Sequence, residues 1–233
     1  LYAASEDAVM SWDGTSWTTV GAGTNPFSGD QVLAVVYQET DDVLFASSAA
    51  SGTWIYRDGS WSDASSGLPS GKVNVLFRTP GGLVLAGHNN SGVFTWGGAD
   101  EWTQYGTGMD SEPVESIGSG PNGEVVAGSR ETGAYYLNAG EWLAIGNLPI
   151  FTVSAITAGP TGEVYAGAPG EGIYAIYDEN LDGIPEAGHQ VANFLTNAVI
   201  QDLVVAPNGD MWAASYGYGV LYSSDGGNCW TRM

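Results

Sequence analysis

The chain has 233 residues and is 43% hydrophobic, enough apolar mass for one large domain or two small ones and too much for a disordered segment. Its formal net charge of -21 arises from 26 acidic residues set against five Lys and Arg, so the protein is base-poor more than acid-rich. So few cations can neither neutralise a phosphate backbone nor hold an anionic bilayer, which argues against nucleic acid and membrane surfaces as partners, whereas divalent cations would be attracted.

Cys229 is the single cysteine, which excludes an intrachain disulfide and a cysteine-based zinc cluster. No apolar run approaches the ~18 residues of a membrane span. The opening LYAASEDAV lacks the basic start and apolar stretch of a signal peptide, so a leader has been removed or was never present. Scarce Lys with abundant Gly, Ser, Thr and Trp suggests a secreted bacterial protein.

In chain order, residues 1–20 hold three short strand-like runs, LYAAS, VMSW and SWTTV, and the remainder falls into five similar units. Ala46, Ala86, Ala127, Ala166 and Ala213 mark these units at spacings of 40, 41, 39 and 47, and Ala3 stands 43 before the first. Thirteen residues before each stands an aliphatic, Leu33, Val73, Val114, Val153 and Ile200; six residues after each stands a glycine, Gly52, Gly92, Gly133, Gly172 and Gly219. Turns ending in Gly82, Gly123, Gly162 and Gly209 recur four residues before the later alanines. Each unit reads as four short strands, for example VNVLFRT, LVLAG, GVFTW and EWTQY, and helical periodicity is not sustained anywhere.

Units of about 40 residues with four short strands predict an all-β β-propeller, one blade per unit. The blades are residues 1–32 (partial), 33–72, 73–113, 114–152, 153–199 and 200–233 of a single domain. Blade one has only its second, third and fourth strands, which gives six blades of which the first lacks its inner strand; a piece of a seven- or eight-bladed chain is the alternative. A propeller removes its sheet edges by closing, so the inner strand of blade one is expected upstream or from a neighbouring chain. The recurrent outer-strand tryptophans Trp17, Trp61, Trp102, Trp142 and Trp230 are expected to pack between blades rather than to form a sugar-binding platform.

Near the chain end, SSDGGNCW places Ser223, Asp225, Gly227 and Trp230 in the order S-x-D-x-G-x-x-W. SWDGTSW with Asp13 and YRDGSW with Asp58 are reduced versions. This pattern resembles the Asp-box of sialidase-like and sortilin-like propellers, and the order of turn, alanine and glycine is similar to the sensor propellers of two-component regulators. The resemblance implies a structural role: the carboxylate accepts backbone N–H bonds in the turn and the Trp packs between sheets. Cys229, in the place of the usual Thr, is expected to be buried.

The segment DENLDGIPE occupies the third-to-fourth turn of blade five, before an outer strand expected in VANFL. Asp178, Asn180, Asp182, Ile184 by its carbonyl, and Glu186 have the alternate spacing of hard oxygen ligands for Ca²⁺, with Gly183 at the sharp bend. His189 stands where an EF-hand has its bidentate Glu, so the loop resembles the shorter calcium loops of secreted bacterial repeat and dockerin-type proteins; a solvated turn is the alternative. Its expected role is structural.

Candidate ligand contacts lie in the second-to-third loops, which share an edge with the variable inter-blade connections: His88, Asn89, Asn90, Arg130, Glu131, Tyr216 and Tyr218. Of carboxylates for glycoside hydrolysis only Glu115 and Asp202 stand on inner strands, and Arg57, Arg78, Arg130 and Arg232 do not form a cluster for an anionic substrate. Two functions therefore compete. The first is a non-catalytic extracellular propeller that binds protein or glycan or serves a surface assembly; the second is a polysaccharide-active hydrolase or lyase.

Overall fold

The computed structural model describes residues 1–97, 100–120, 123–146, 148, 150–178, 185, 187–191 and 198–233. Among these residues the chain is all β, with 23 strands in six antiparallel sheets. It divides into two compact units, Leu1–Tyr105 and Gly106–Met233, and each contributes three sheets.

In the first unit, sheet one holds β1 (Tyr2–Ala4), β2 (Val9–Trp12) and β3 (Trp17–Thr19). Sheet two holds β4 (Val32–Gln38), β5 (Val43–Ser48), β6 (Thr53–Arg57) and β7 (Ser60–Asp63). Sheet three holds β8 (Val73–Arg78), β9 (Val84–His88), β10 (Gly92–Gly97) and β11 (Glu101–Gln104). In the second unit, sheet four holds β12 (Val114–Ser119), β13 (Val125–Ser129), β14 (Ala134–Asn138) and β15 (Glu141–Ala144). Sheet five holds β16 (Ala155–Ala158), β17 (Val164–Ala168), β18 (Gly172–Tyr177) and β19 (Ala187–Gln190). Sheet six holds β20 (Val199–Val205), β21 (Met211–Tyr216), β22 (Gly219–Ser223) and β23 (Thr231–Arg232). Each sheet keeps its strands in chain order, so in the four-stranded sheets the first-to-second and third-to-fourth turns share one edge and the second-to-third loop lies at the other.

Second strands β5, β9, β13 and β17 are buried at every residue, the pattern of strands covered on both faces. The marker alanines Ala46, Ala86, Ala127 and Ala166 have no exposed surface. The tightest approach falls one residue later. A Cβ on Gly128 would stand 2.7 Å from the Val153 carbonyl, and one on Gly167 would stand 2.6 Å from Ile200 Cγ2, so these glycines let the next inner strand close in. The five glycines that open the third strands all have φ between +78° and +91°, as a tight reversal after the second strand demands.

Blade one has three strands, and register identifies them. Ala3 pairs with Met10 as Ala46 pairs with Trp54, so β1 is the counterpart of β5 and forms an edge of its sheet. Two expectations are corrected in blades two and five. Val32 rather than Leu33 opens blade two, because the connection between the paired Tyr37 and Leu44 is one residue longer than the equivalent connection between Arg78 and Val84; Val32 is buried while Leu33 sits in a β-bulge and is half-buried. Equivalent bulges recur in β8, β12 and β20 and hold Asn74, Glu115 and Gln201. In blade five the outer strand is AGHQ, pairing from Tyr177↔Ala187 to Tyr174↔Gln190, because the preceding turn ends sooner than expected; of VANFL, residues 192–195 lie outside the described residues.

The tryptophans join neighbouring blades where they are buried. Trp61 Nε1 donates to the Val20 carbonyl at 3.0 Å and Trp102 Nε1 donates to the Ala64 carbonyl at 2.8 Å, each reaching back one blade. Trp142 is also buried. Trp17 departs from the expectation: it is 44% exposed and its ring contact is with Trp12 of its own sheet.

Candidate functional site

In blades two, three and four, polar side chains tie the second-to-third loop to the connection leading into the blade. In blade two, Asp30 accepts from the Ala50 amide at 3.0 Å and the Ser51 amide at 2.6 Å. These bonds and that of Ser48 outweigh burial and hold its carboxyl below the usual range. In blade four, Glu112 takes the same place: its Oε2 accepts from Ser129 Oγ at 3.1 Å and from Thr132 Oγ1, which in turn receives Tyr135 Oη at 3.0 Å. The loops are thus fixed at the base while their tips stay free to vary.

In the second unit exposed aromatic rings lie on the connections and turns of this edge. Tyr216, the last residue of β21, is 79% exposed, Tyr218 in the turn that follows is 37% exposed, and Phe151, just ahead of β16, is 77% exposed. A shallow cleft of about 190 Å³ runs beside Phe151, lined also by Ile150, Thr152, Ala168, Pro169 and Glu171. Arg130 and Glu131 stand on the β13–β14 loop of the same edge. Arg130 forms an ion pair with Glu115 of the β12 bulge, its amide donates to the Pro113 carbonyl at 2.9 Å, and its carbonyl accepts from Thr152 Oγ1 at 2.6 Å. Phe151 was not among the sequence candidates. Nothing in the sequence marks it, since Phe27, an aromatic on another inter-blade connection, is buried.

His88 is corrected by its burial. It is 1% exposed at the end of β9, its Nδ1 accepts from the Asn90 amide at 3.4 Å, and its Nε2 has no hydrogen-bond partner. Burial pushes its pKa below the ordinary value, and a Cβ on Gly71 would lie 2.8 Å from its ring, so it supports the loop and does not face a ligand. Asn89 Oδ1 accepts from the Lys72 amide at 3.1 Å, again a tie to the incoming connection, while Asn90 is exposed enough to present its side chain.

Glu115 and Asp202 both lie on inner strands of the second unit. Glu115 is engaged by Arg130, whereas Asp202 is exposed and its Oδ1 accepts from the adjacent Leu203 amide at 2.8 Å. Of the predicted calcium ligands, Asp178 follows β18; Asn180, Asp182, Ile184 and Glu186 lie outside the described residues. Among the described residues no group of three or more His, Cys, Asp or Glu is placed to hold a metal ion.

The turn at Ser223–Trp230 is closed by side chains. Ser223 Oγ donates to Asp225 Oδ1 at 2.8 Å and accepts from the Gly227 amide at 3.0 Å; Asp225 Oδ1 also accepts from the Cys229 amide at 2.8 Å; Trp230 Nε1 donates to the Gly227 carbonyl at 2.8 Å. Trp230 is half-buried against the cluster that contains Met211 and Leu221. Asp13 behaves alike, accepting from the Thr15 and Ser16 amides at 2.7 and 2.8 Å. Asp58 does not: with φ of +52° beside Gly59 at +82° it forms a two-residue hairpin turn instead. Cys229 is exposed, contrary to expectation, because only the turn backbone and Trp230 face inward; the Asp225 carboxylate, by hydrogen bond and then by charge, raises its thiol pKa.

With this geometry described, likeness to solved structures becomes informative. The chain matches over its full length the extracellular domain of the Bacteroides thetaiotaomicron protein BT4673, described as a hybrid two-component system, at 17% identity and a TM-score of 0.77. The fold is a β-propeller. The propeller also matches PorZ, a surface component of the type-IX secretion system of Porphyromonas gingivalis, at 16% identity and a TM-score of 0.72, and virginiamycin B lyase from Staphylococcus aureus at 12% identity and 0.75. The propeller spans 31% of the BT4673 chain and 40% of the PorZ chain. No protein-family model matches it, and no curated protein matches it either. Neighbours of sensor, secretion and lyase type share this fold, so fold alone does not choose the chemistry.

Proposed function

We propose that the protein is a non-catalytic extracellular propeller that binds a protein or glycan partner through the second-to-third loop edge of blades four to six. The observation that carries this reading is the set of exposed aromatic rings, Phe151, Tyr216 and Tyr218, on backbone held in place by the Val199↔Tyr216 and Ser215↔Gly219 pairings and by the Gly133 amide, which donates to the Phe151 carbonyl at 2.7 Å. Aromatic anchors on rigid supports are what recognition surfaces use, since they add contact area at low entropic cost. Arg130 and Glu131 supply the polar rim. Two neighbours in the extracellular and surface-assembly classes support the location, and a further propeller of this fold, YCF48, is bound to a peptide of D1.

The turn from Asp178 to Glu186 is read as a structural calcium loop on the opposite edge of blade five, and the Ser223–Trp230 turn as an Asp-box whose role is to close its hairpin. The competing hydrolase reading requires two carboxylates free to act, and the engagement of Glu115 by Arg130 counts against it. Binding is tested on a combined array of glycans and extracellular peptides with the wild type and a Phe151→Ser, Tyr216→Ser double variant. The expected result is a partner retained by the wild type and lost by the variant at unchanged thermal stability. Retention by both places the binding surface elsewhere.

A further inference from the structure

A second cleft lies in the first unit, at the edge of its sheets that carries the first-to-second and third-to-fourth turns. It measures about 510 Å³ and is lined by Gln38, Asp41, Arg57, Trp96, Gly97 and Asp100, from blades two and three. This volume is within the range of small-molecule sites.

Its lining is organised rather than incidental. Arg57 and Asp100 form a forked pair, Nη1 to Oδ2 and Nη2 to Oδ1 both at 3.2 Å, which fixes the guanidinium plane across the two blades. Trp96 is half-buried and held edge-on by Phe45 at 5.2 Å and Trp102 at 5.1 Å, so its ring has one orientation. Gln38 Nε2 donates to the Gly82 carbonyl at 3.2 Å, while its Oε1 is shielded from water and has no donor. A buried acceptor without a donor is costly by itself. Asp41 is exposed at the rim.

From this arrangement we infer that the cleft takes one or two sugar rings of a neutral glycan. The lining offers carboxylate and amide acceptors, guanidinium donors and an aromatic wall. A ligand that both donates and accepts hydrogen bonds and has an apolar face matches all three, and a pyranose ring is such a ligand. An ammonium or guanidinium ligand has donors only and would meet the Arg57 charge. A simple anion would meet Asp41 and Asp100. This inference does not rest on the loop-edge reading, since the two sites lie at opposite edges of their sheets and in different units.

The test is a titration of the intact chain with a panel of neutral di- to tetrasaccharides of glucose, xylose, mannose and galactose, followed by tryptophan fluorescence and by saturation-transfer NMR. The wild type is expected to bind at least one of them. Asp41→Ala and Arg57→Gln are expected to weaken that binding by about tenfold or more, the loss of one hydrogen bond to a charged group. Asp41 bears little on folding, so its variant keeps the test valid if Arg57→Gln lowers the melting temperature. The Phe151→Ser, Tyr216→Ser variant is expected to bind the sugar as the wild type does. The inference is overturned if no panel member binds, if binding survives Asp41→Ala and Arg57→Gln unchanged, or if arginine ethyl ester binds in place of the sugars.

Discussion

Trp102 and Trp17 occupy the same place in the repeat, yet the structure assigns them different energetic roles. Trp102 is 1% exposed, packs edge-on against Phe45 and Trp96, and ties blade three to the Ala64 carbonyl at 2.8 Å. Truncation to alanine removes a buried aromatic, at a cost of about 3–5 kcal/mol, and leaves the Ala64 carbonyl without its donor, a further ~1–3 kcal/mol where water cannot reach it. Trp102→Phe isolates the second part by keeping most of the ring, so its cost is expected near ~2 kcal/mol. Trp17 is 44% exposed with one ring neighbour, and Trp17→Ala is expected to cost about 1 kcal/mol or less. Urea unfolding followed by far-ultraviolet circular dichroism measures all three. Equal costs at positions 17 and 102 would refute the claim that burial between blades, rather than the repeat motif, sets the role of these residues.

Other outcomes follow from the same geometry. Burial lowers the pKa of His88 below its ordinary 6.5, so the stability due to its neutral form is complete above pH 6.5 and is lost as the pH falls below that value; His88→Gln is expected to flatten the melting temperature across pH 7 to 5. The Asp225 carboxylate raises the pKa of the exposed Cys229, so the wild type should react slowly with iodoacetamide at pH 8 and Asp225→Asn faster; no change in rate would remove the carboxylate from the thiol's environment. If the Asp178–Glu186 turn holds calcium as proposed, chelation lowers the melting temperature while partner binding in the cold persists, and calorimetric titration with Ca²⁺ alone gives heat that Asp178→Ala abolishes. Simultaneous loss of stability and binding would instead place the ion at the recognition edge.

Much of this architecture was legible because the repeat is covalent arithmetic. Ala46, Ala86, Ala127 and Ala166 fall in fully buried second strands, and the glycines six residues later fall at positive φ, since both follow from fixed strand lengths and a tight reversal. Registers failed where a turn changed length: one residue around 39–42 moved the opening aliphatic from Leu33 to Val32, and the Asp178 turn moved the outer strand to AGHQ. The candidate sites were legible only in part. Loop membership places Arg130 and Tyr218 correctly, but Tyr216 and His88 each end a second strand, one exposed and one buried, and no periodicity distinguishes the last strand residue from the first loop residue. Phe151 and the Arg57–Asp100 fork escaped notice because exposure and pairing across 43 positions depend on how blades meet.

The central claim is that this propeller recognises and does not cut. It is tested most directly by incubating the protein with a pool of soluble polysaccharides and extracellular peptides, then measuring retained ligand, new reducing ends and new unsaturated ends in one sample. The expected result is a retained ligand that the Phe151→Ser, Tyr216→Ser variant no longer holds, with no new chain ends. New chain ends that disappear in Glu115→Gln or Asp202→Asn would contradict the account and make the protein an enzyme.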